Sequence, residues 1–268
     1  MTRGVILIAH NNRNDYYRMA LWVAKRVTRF LNLPTTLITD QNTLDTTHHL
    51  DNSVFDQVLT IEPDRNNYLN KINWINKGRY QVYDLSPYDE TIVLDTDYVI
   101  NSTRLLDLFN YPSDFVCYKS ARYMYDPYST NEILHANSSG TYWATVMRFR
   151  KTQRVQNIFE MIKTIQQNYD HYADLHNFLP FTYRNDYALT LSLRAINGHM
   201  ESPEDFISGR LQHIDSTFSV KRIDDITYSV HGKVIHNNRE RPVYIKISGH
   251  DFHMMNKIDY LGMIADEQ

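Results

Sequence analysis

Two aspartates one residue apart, Asp95 and Asp97, stand directly after the apolar run Thr91-Ile92-Val93-Leu94. Carboxylates are hard oxygen ligands, and two of them together hold a divalent cation while leaving coordination positions open. Open positions suit a nucleotide diphosphate, which brings its own oxygens. A buried strand over Thr91 to Leu94 would deliver the pair at its carboxyl end, with i and i+2 on one face. The competing role for the two carboxylates is to cap the next turn. Sugar transfer from a nucleotide donor is the chemistry this pattern points to first.

A second group lies near the end of the chain, in Lys246-Ile247-Ser248-Gly249-His250-Asp251-Phe252-His253-Met254-Met255-Asn256-Lys257. A neutral imidazole from His253, or from His250 as second choice, can complete the coordination of an ion such as Mn2+. Lys257 can neutralise a β-phosphate as a point charge. The plainer alternative is two ordinary histidines at a strand-to-helix turn.

These groups need a scaffold, and the chain has the length for one. Its 268 residues are 42% hydrophobic and 22% charged, an ordinary globular balance, with few Gly and Pro. A net charge of −3 excludes a general polyanion binder, so any nucleic-acid contact needs a local basic patch. The lone Cys117 rules out an internal disulfide and fits a reducing compartment, with the cytoplasm as the expected location. No apolar stretch is long enough to span a membrane, and the N-terminal apolar run is too short for a signal peptide.

Periodicity predicts alternating strands and helices through the first hundred residues. Strands are expected over Gly4 to Ala9, Thr35 to Thr39, Gln57 to Ile61 and Thr91 to Leu94, and helices over Asn14 to Leu31 and Tyr68 to Tyr83. Further on, strands are expected over Asp114 to Lys119 and Tyr142 to Phe149, and helices over Thr152 to Tyr169 and from Asn185-Asp186 to Ala195. The last sixty residues read as β-rich, with a hairpin turn at His231-Gly232, a strand over Val243 to Ile247 and a closing helix near Ile258 to Ile264. The expected fold is α/β, a mostly parallel central sheet with helices on both faces and a β-rich C-terminal part. Ligands on such sheets bind beyond the carboxyl ends of the strands. His10, Asn11, Asp40 and the Asp95/Asp97 pair would all point there. Lys71 and Arg79, on the helix before the metal strand, either approach the donor or form a solvated face.

Asp95-Thr96-Asp97 after an apolar strand, with a late His ahead of Lys257, resembles the GT-A glycosyltransferases, in layout the glycogenin-like, galactosyl-transferring ones. Three stretches agree. Ile8-Ala9-His10-Asn11-Asn12 resembles the first-strand loop that holds the nucleoside. Ser138-Ser139-Gly140-Thr141-Tyr142-Trp143 resembles the small-residue turn before the strand lining the acceptor side. Tyr183-Arg184-Asn185-Asp186-Tyr187 resembles the helix start whose carboxylate faces the sugar. The tail departs from that family's His, Gly three residues on, then Lys-Pro-Trp.

The resemblance implies one GT-A-like (Rossmann-type) domain over 1–268, with 1–110 as the nucleotide-sugar half and 111–268 as the acceptor half. It implies a UDP-sugar donor and Mn2+ or Mg2+. Asp95, Asp97 and His253 or His250 would hold the ion. Ala9, His10, Asn11, Asp40, Lys71, Asp95, Thr96 and Lys257 would hold the donor. Asp186 would act at the reacting sugar, as general base or as an orienting group, while also serving a helix cap. Tyr142, Trp143 and Arg148 would face the acceptor.

Ser86-Pro87-Tyr88-Asp89-Glu90-Thr91-Ile92-Val93-Leu94-Asp95 and Tyr183-Arg184-Asn185-Asp186-Tyr187-Ala188 also resemble glycosyltransferases of large tailed bacteriophages. Some of those modify hydroxymethylcytosine in DNA with glucose or arabinose. The basic clusters Arg148, Arg150, Lys151 and Arg154, Lys221-Arg222, and Arg239 with Arg241, interleaved with Tyr123, Tyr125, Tyr128, Tyr142 and Trp143, would then grip double-stranded DNA and an extruded base. The alternatives are the same catalytic unit with a saccharide, lipid-linked or protein acceptor, and a non-enzymatic nucleotide-sugar or saccharide binding module. A nucleotidyltransferase shares the acidic site, but the chain has no Gly-rich phosphate loop near residue 10.

Overall fold

A computed structural model describes residues 1–61, 68–69, 72–73, 75–126, 140–178, 183–236 and 239–265, with backbone only for 68–69, 72–73, 75–77 and 236. Strand β1 (Arg3–Ile8) leads into helix α1 (Tyr16–Arg26), which widens into a π-turn over Val27–Leu31. Asn32 ends it in the left-handed conformation, one of the few places a non-glycine tolerates it. Strand β2 (Thr35–Thr39), helix α2 (Gln41–Thr47) and strand β3 (Gln57–Thr60) follow. Helix α2 is a seven-residue element that periodicity did not suggest, begun where Asp40 accepts from the Thr43 amide as its N-cap.

The helix expected over Tyr68 to Tyr83 is not formed as such. The chain instead makes two short antiparallel strands, β4 (Tyr68–Leu69) and β5 (Ile72–Asn73), then a 3-10 turn over Ile75–Gln81 and one turn of helix, α3 (Val82–Leu85). Lys71 lies outside the described residues. Strand β6 (Glu90–Leu94) comes next, then the two-residue β7 (Tyr98–Val99), β8 (Phe115–Tyr118) and β9 (Ala121–Tyr123). Strand β10 (Trp143–Arg150) precedes helices α4 (Gln153–Gln167), α5 (Tyr169–His176) and α6 (Asn185–Ile196). Thr152 caps α4 through the Val155 amide. The remainder is β-rich, as expected: β11 (Phe206–Ile207), β12 (Leu211–Ile214), β13 (Ser219–Arg222), β14 (Thr227–His236), β15 (Arg239–Ser248) and β16 (Phe252–Met254), closed by helix α7 (Lys257–Ala265).

The central sheet runs β11-β8-β10-β6-β1-β2-β3, and all its strands are aligned except β10, antiparallel to both neighbours. Strands β2 and β6 are buried throughout, the pattern of interior strands covered on both faces. Alternation sorts their side chains. Val5, Leu7 and Leu37 pack with Met19, Trp22 and Val23 of α1 and Tyr260 of α7. Ile6, Ile8 and Ile38 pack on the other face with Ile158 and Phe159 of α4 and Leu189 and Leu193 of α6. The chain is therefore α/β, with helices on both faces of a mostly parallel sheet. A smaller sheet, β7-β16-β12-β9, and a three-stranded sheet, β13-β14-β15, complete the molecule. Among the described residues no helix is long and apolar enough to cross a membrane.

Two glycines mark close approaches. A Cβ on Gly4 would sit 2.3 Å from the Tyr88 ring, and the Tyr88 hydroxyl is tied to Thr36 at 2.8 Å, so the ring has little room to retreat. Gly4→Ala is expected to lower stability by about 1–3 kcal/mol through overpacking, read as a drop in the urea midpoint without a change in slope. Gly232 is not a hairpin turn, as its neighbour His231 had suggested. Both sit inside β14, and Gly232 makes room for the Phe218 ring.

Candidate functional site

Strand β6 stops at Leu94, and a tight turn presents the two aspartates. The Asp95 amide donates to the Thr145 carbonyl at 3.0 Å, and the Tyr98 amide returns to the Asp95 carbonyl at 3.1 Å. The convergence of the carboxylates thus comes from a turn, not from the strand pleat that the i, i+2 spacing suggested. Beyond it, β7 pairs antiparallel with β16, setting Tyr98 opposite His253. That pairing carries a histidine more than 150 positions away to the aspartates.

Asp95, Asp97 and His253 offer ligand atoms all within 4.8 Å of one another. His253 Nε2 lies 3.1 Å from Asp97 Oδ2. Lys257, at the start of α7, pairs with Asp97 and also donates to the Met254 carbonyl at 3.1 Å. Arg79 pairs with Asp95. Burial alone would raise the Asp97 carboxyl, but Lys257 and His253 outweigh it and hold the group far below the usual carboxylate range. The Arg79 guanidinium shows the reciprocal balance: burial opposes its charge, and Asp95, Asp186 and Asp97 together win. Arg79 was read from sequence as either a donor contact or a solvated face; its pairing places it inside the cluster.

His213 was missed altogether. It is buried in β12, directly opposite His253, and their Nδ1 atoms are 3.2 Å apart. Burial and the neighbouring His253 push its pKa down to about 3, so the ring is neutral. In the ion-free chain His253 Nε2–H can donate to Asp97; with an ion bound, the ring would instead donate from Nδ1 to His213 and turn its Nε2 lone pair to the ion. Trp143 packs against both rings, at 5.5 Å from His213 and 6.4 Å from His253. The sequence signal was slight: a histidine one strand position from a half-buried Gln212.

On the neighbouring parallel strands, β1 and β2 end at the same side as β6. Ala9 continues the ladder through its amide to the Ile38 carbonyl, 3.0 Å away. His10 Nδ1 lies 2.9 Å from Asp40 Oδ2, while its buried Nε2 has no partner among the described residues. Burial raises the Asp40 carboxyl, but hydrogen bonds from His10 and Thr43 outweigh it and bring it below its ordinary value. Asn11 accepts from the Tyr17 amide at 2.8 Å and donates to Asp15 at 3.0 Å, which fixes the loop into α1. Thr96 is buried within the aspartate turn.

Asp186 sits in the first turn of α6, where Arg184 rather than Asn185 is the boundary residue. Its Oδ1 accepts from the Ala144 amide at 2.8 Å, and Arg184 lies 3.5 Å from Oδ2. Burial raises its pKa, and the charge on Asp95 pushes the same way. Asp186 therefore shares the electrostatic environment of the aspartate turn.

Other expected contacts fall elsewhere. His250 is not in the cluster; its Nδ1 is 2.8 Å from the Ser248 carbonyl and it lines a separate cavity. Tyr142 is 1% exposed and packs against Phe206 at 4.8 Å, on the opposite face of the sheet from Trp143. Arg148 is 0% exposed and donates to the Leu108, Ser113 and Tyr111 carbonyls, so it is a core residue and cannot touch an acceptor. Its neighbours in the expected basic patch are engaged as well. Arg150 pairs with buried Glu90, Lys151 donates to the Ser86 carbonyl, and Arg154 pairs with buried Asp205. Of the aromatics, Tyr123 stacks on Tyr125, and Tyr125 on Phe218. Tyr128 and residues 137–139 lie outside the described residues.

The donor set fits a divalent ion with some affinity for nitrogen. Two carboxylates and one imidazole converge, and the charges of Arg79 and Lys257 already offset the aspartates in place of an ion.

No protein-family profile matches the chain, and neither does any curated protein. Among solved structures it is similar to the glycosyltransferase GlyE of Streptococcus pneumoniae TIGR4, at 15% identity and a TM-score of 0.43, covering 71% of this chain and 43% of that one. It is similar to the galactosyltransferase LgtC in complex with donor and acceptor sugar analogs, at 12% identity and 0.46, covering 71% and 70%. It is also similar to mouse xyloside xylosyltransferase 1, at 11% identity and 0.44, covering 82% and 87%. All three TM-scores are below 0.5, so the function has to be argued from the site's own geometry.

Proposed function

We propose that the chain is a metal-dependent glycosyltransferase of GT-A type, moving a sugar from a UDP-sugar to a hydroxyl acceptor. The observation that carries this is the convergence of Asp95, Asp97 and His253 at the carboxyl end of a mostly parallel sheet. Asp95, Asp97 and His253 would hold Mn2+ or Mg2+, with His213 fixing the tautomer of His253. Such an ion, when bound, supplies Lewis-acid stabilisation of a leaving diphosphate. Lys257 and Arg79 would turn from the aspartates to the phosphates, keeping their charge paired throughout. The nucleoside would lie over Ala9, His10 and Asn11, where the unpartnered His10 Nε2 can meet a polar atom of the donor. Asp40 fixes that ring. Asp186 would orient the sugar through Oδ2, since Oδ1 is held by a backbone amide. The N-terminal half, 1–110, would carry the donor and 111–268 the acceptor, as one domain.

Arg148, Arg150, Lys151 and Arg154 are engaged by internal partners, which counts against that cluster as a grip on DNA, whereas Arg239 and Arg241 on β15 are exposed.

The test is a thermal-shift screen of UDP-sugars with and without Mn2+, followed by measurement of UDP release. A ligand at about 100 times its Kd should raise the melting temperature by roughly 5 °C. Shift and UDP release that both require Mn2+ are the expected result. A shift without any UDP release would leave a binding module, and no shift with any donor would remove the proposal.

A further inference from the structure

We propose that a cavity on the far side of the β7–β16 pairing is a second ligand site, built for a small sugar carrying a phosphate or carboxylate group. The cavity has a volume of about 540 Å³, within the range of small-molecule sites. None of Arg79, Asp95, Asp97, Asp186, His253 or Lys257 lines it. It is therefore distinct from the aspartate–histidine cluster.

Three arginines face this space: Arg104, Arg122 and Arg210. Arg122 is held by Gln212, whose Oε1 accepts from Nε at 3.0 Å. Among the described residues the Arg104 and Arg210 guanidiniums make no hydrogen bond and no ion pair within 4 Å, although the Arg104 charge is near enough to Asp251, Tyr98 and Tyr118 to act on them. Two carboxylates share the cavity. Asp251 is buried and engaged on both oxygens, by the Asn101 amide at 2.6 Å and the Ser102 hydroxyl at 3.0 Å. Asp107 is the other, so the charge facing a ligand is positive overall. Guanidinium forks match carboxylate and phosphate oxygens in pairs, which sets the anionic part of the ligand.

The rest of the wall suits a sugar ring. Tyr111 and Tyr118 offer ring surface, and the Tyr111 hydroxyl, which accepts from the Ser208 amide at 2.7 Å, keeps its own proton to donate. The wall is also braced: β9 and β12 are paired in register beneath Arg122 and Gln212. Choosing a sugar over another ring rests on the glycosyl-transfer reading; the anion site itself does not.

Isothermal titration of the full chain in EDTA, with glucose 1-phosphate, glucuronate, glucose and inorganic phosphate, tests this. EDTA removes the ion and so separates this site from donor binding. At least one sugar anion should bind, more tightly than glucose or inorganic phosphate. Arg104→Ala and Arg210→Ala, both at exposed positions, should each weaken it by roughly tenfold or more. Asp97→Asn should leave it unchanged. The site is overturned if neither sugar anion binds at millimolar concentration, if binding survives the double arginine variant, or if Asp97→Asn abolishes it. Inorganic phosphate binding as tightly as the sugar anions overturns the sugar assignment. None of these results alters the Mn2+-dependent shift with UDP-sugars, so the two proposals fail separately.

Discussion

Asp97→Asn should lower UDP release from the sugar donor by roughly a thousandfold or more and abolish the Mn2+-dependent thermal shift. The amide keeps the shape of the side chain and removes the charge that an ion would meet. Metal stabilisation of a developing diphosphate is worth several kcal/mol, and about 4 kcal/mol corresponds to three decades in rate. His250→Ala serves as the control, because that ring lies outside the cluster, and both readouts should stay at the parent level. His253→Ala should behave like Asp97→Asn in the ion-dependent shift. Loss of activity in His250→Ala with none in His253→Ala would sink the assignment of the cluster.

The same substitution has a stability side with a definite sign. The folded-state pKa of Asp97 lies below its ordinary value, so the carboxylate's stabilisation is complete above about pH 4 and fades as pH falls through the folded value. The stability gap between parent and Asp97→Asn should therefore be widest near neutrality and close in strong acid. A gap that widens on acidification would contradict the pairing with Lys257.

The second large effect is on folding. Arg148→Met should cost about 3–5 kcal/mol, the range for removing one partner from a buried charged network. Burial and the nearby Arg150 bring the Arg148 pKa down to about 10, so the guanidinium remains charged at neutral pH. It lies near the end of β10 and ties the carbonyls of Leu108, Tyr111 and Ser113, holding the 3-10 turn over Arg104–Asn110 and the residues after it against the sheet. Methionine fills the space but leaves those acceptors without a donor. The urea midpoint should fall sharply. A variant as stable as the parent, with altered acceptor use, would restore Arg148 to the surface role that its charge had suggested.

Strands β1, β2 and β6 were legible because continuous apolar runs bounded by polar residues leave few alternatives. The aspartates were legible for the same reason: they follow one of those runs. His253 could be preferred over His250 by its spacing to Lys257. The segment over Tyr68 to Tyr83 misled because Leu69, Ile72 and Ile75 satisfy a helical stripe, while β4 and β5 pair Leu69 with Ile72 and Ile75 opens the 3-10 turn. Arg148 misled for a different reason. An arginine in a strand looks like an outward residue, and nothing local reveals three carbonyls from the segment Leu108 to Ser113, 35 to 40 positions earlier. His213 and Arg79 depend on pairings between distant segments, which one sequence does not display.

Arg79 and Lys257 have a consequence for the order of events. Each is a tethered competitor, held beside its aspartate at a high effective concentration. The folded chain thus keeps its acidic turn neutralised without any ion, and chelation should silence chemistry without melting the protein, unlike domains whose folding is metal binding. On the proposed function, the phosphates of a donor would offer both tethered cations another partner, and loading of an ion would become a partner exchange that frees the aspartates.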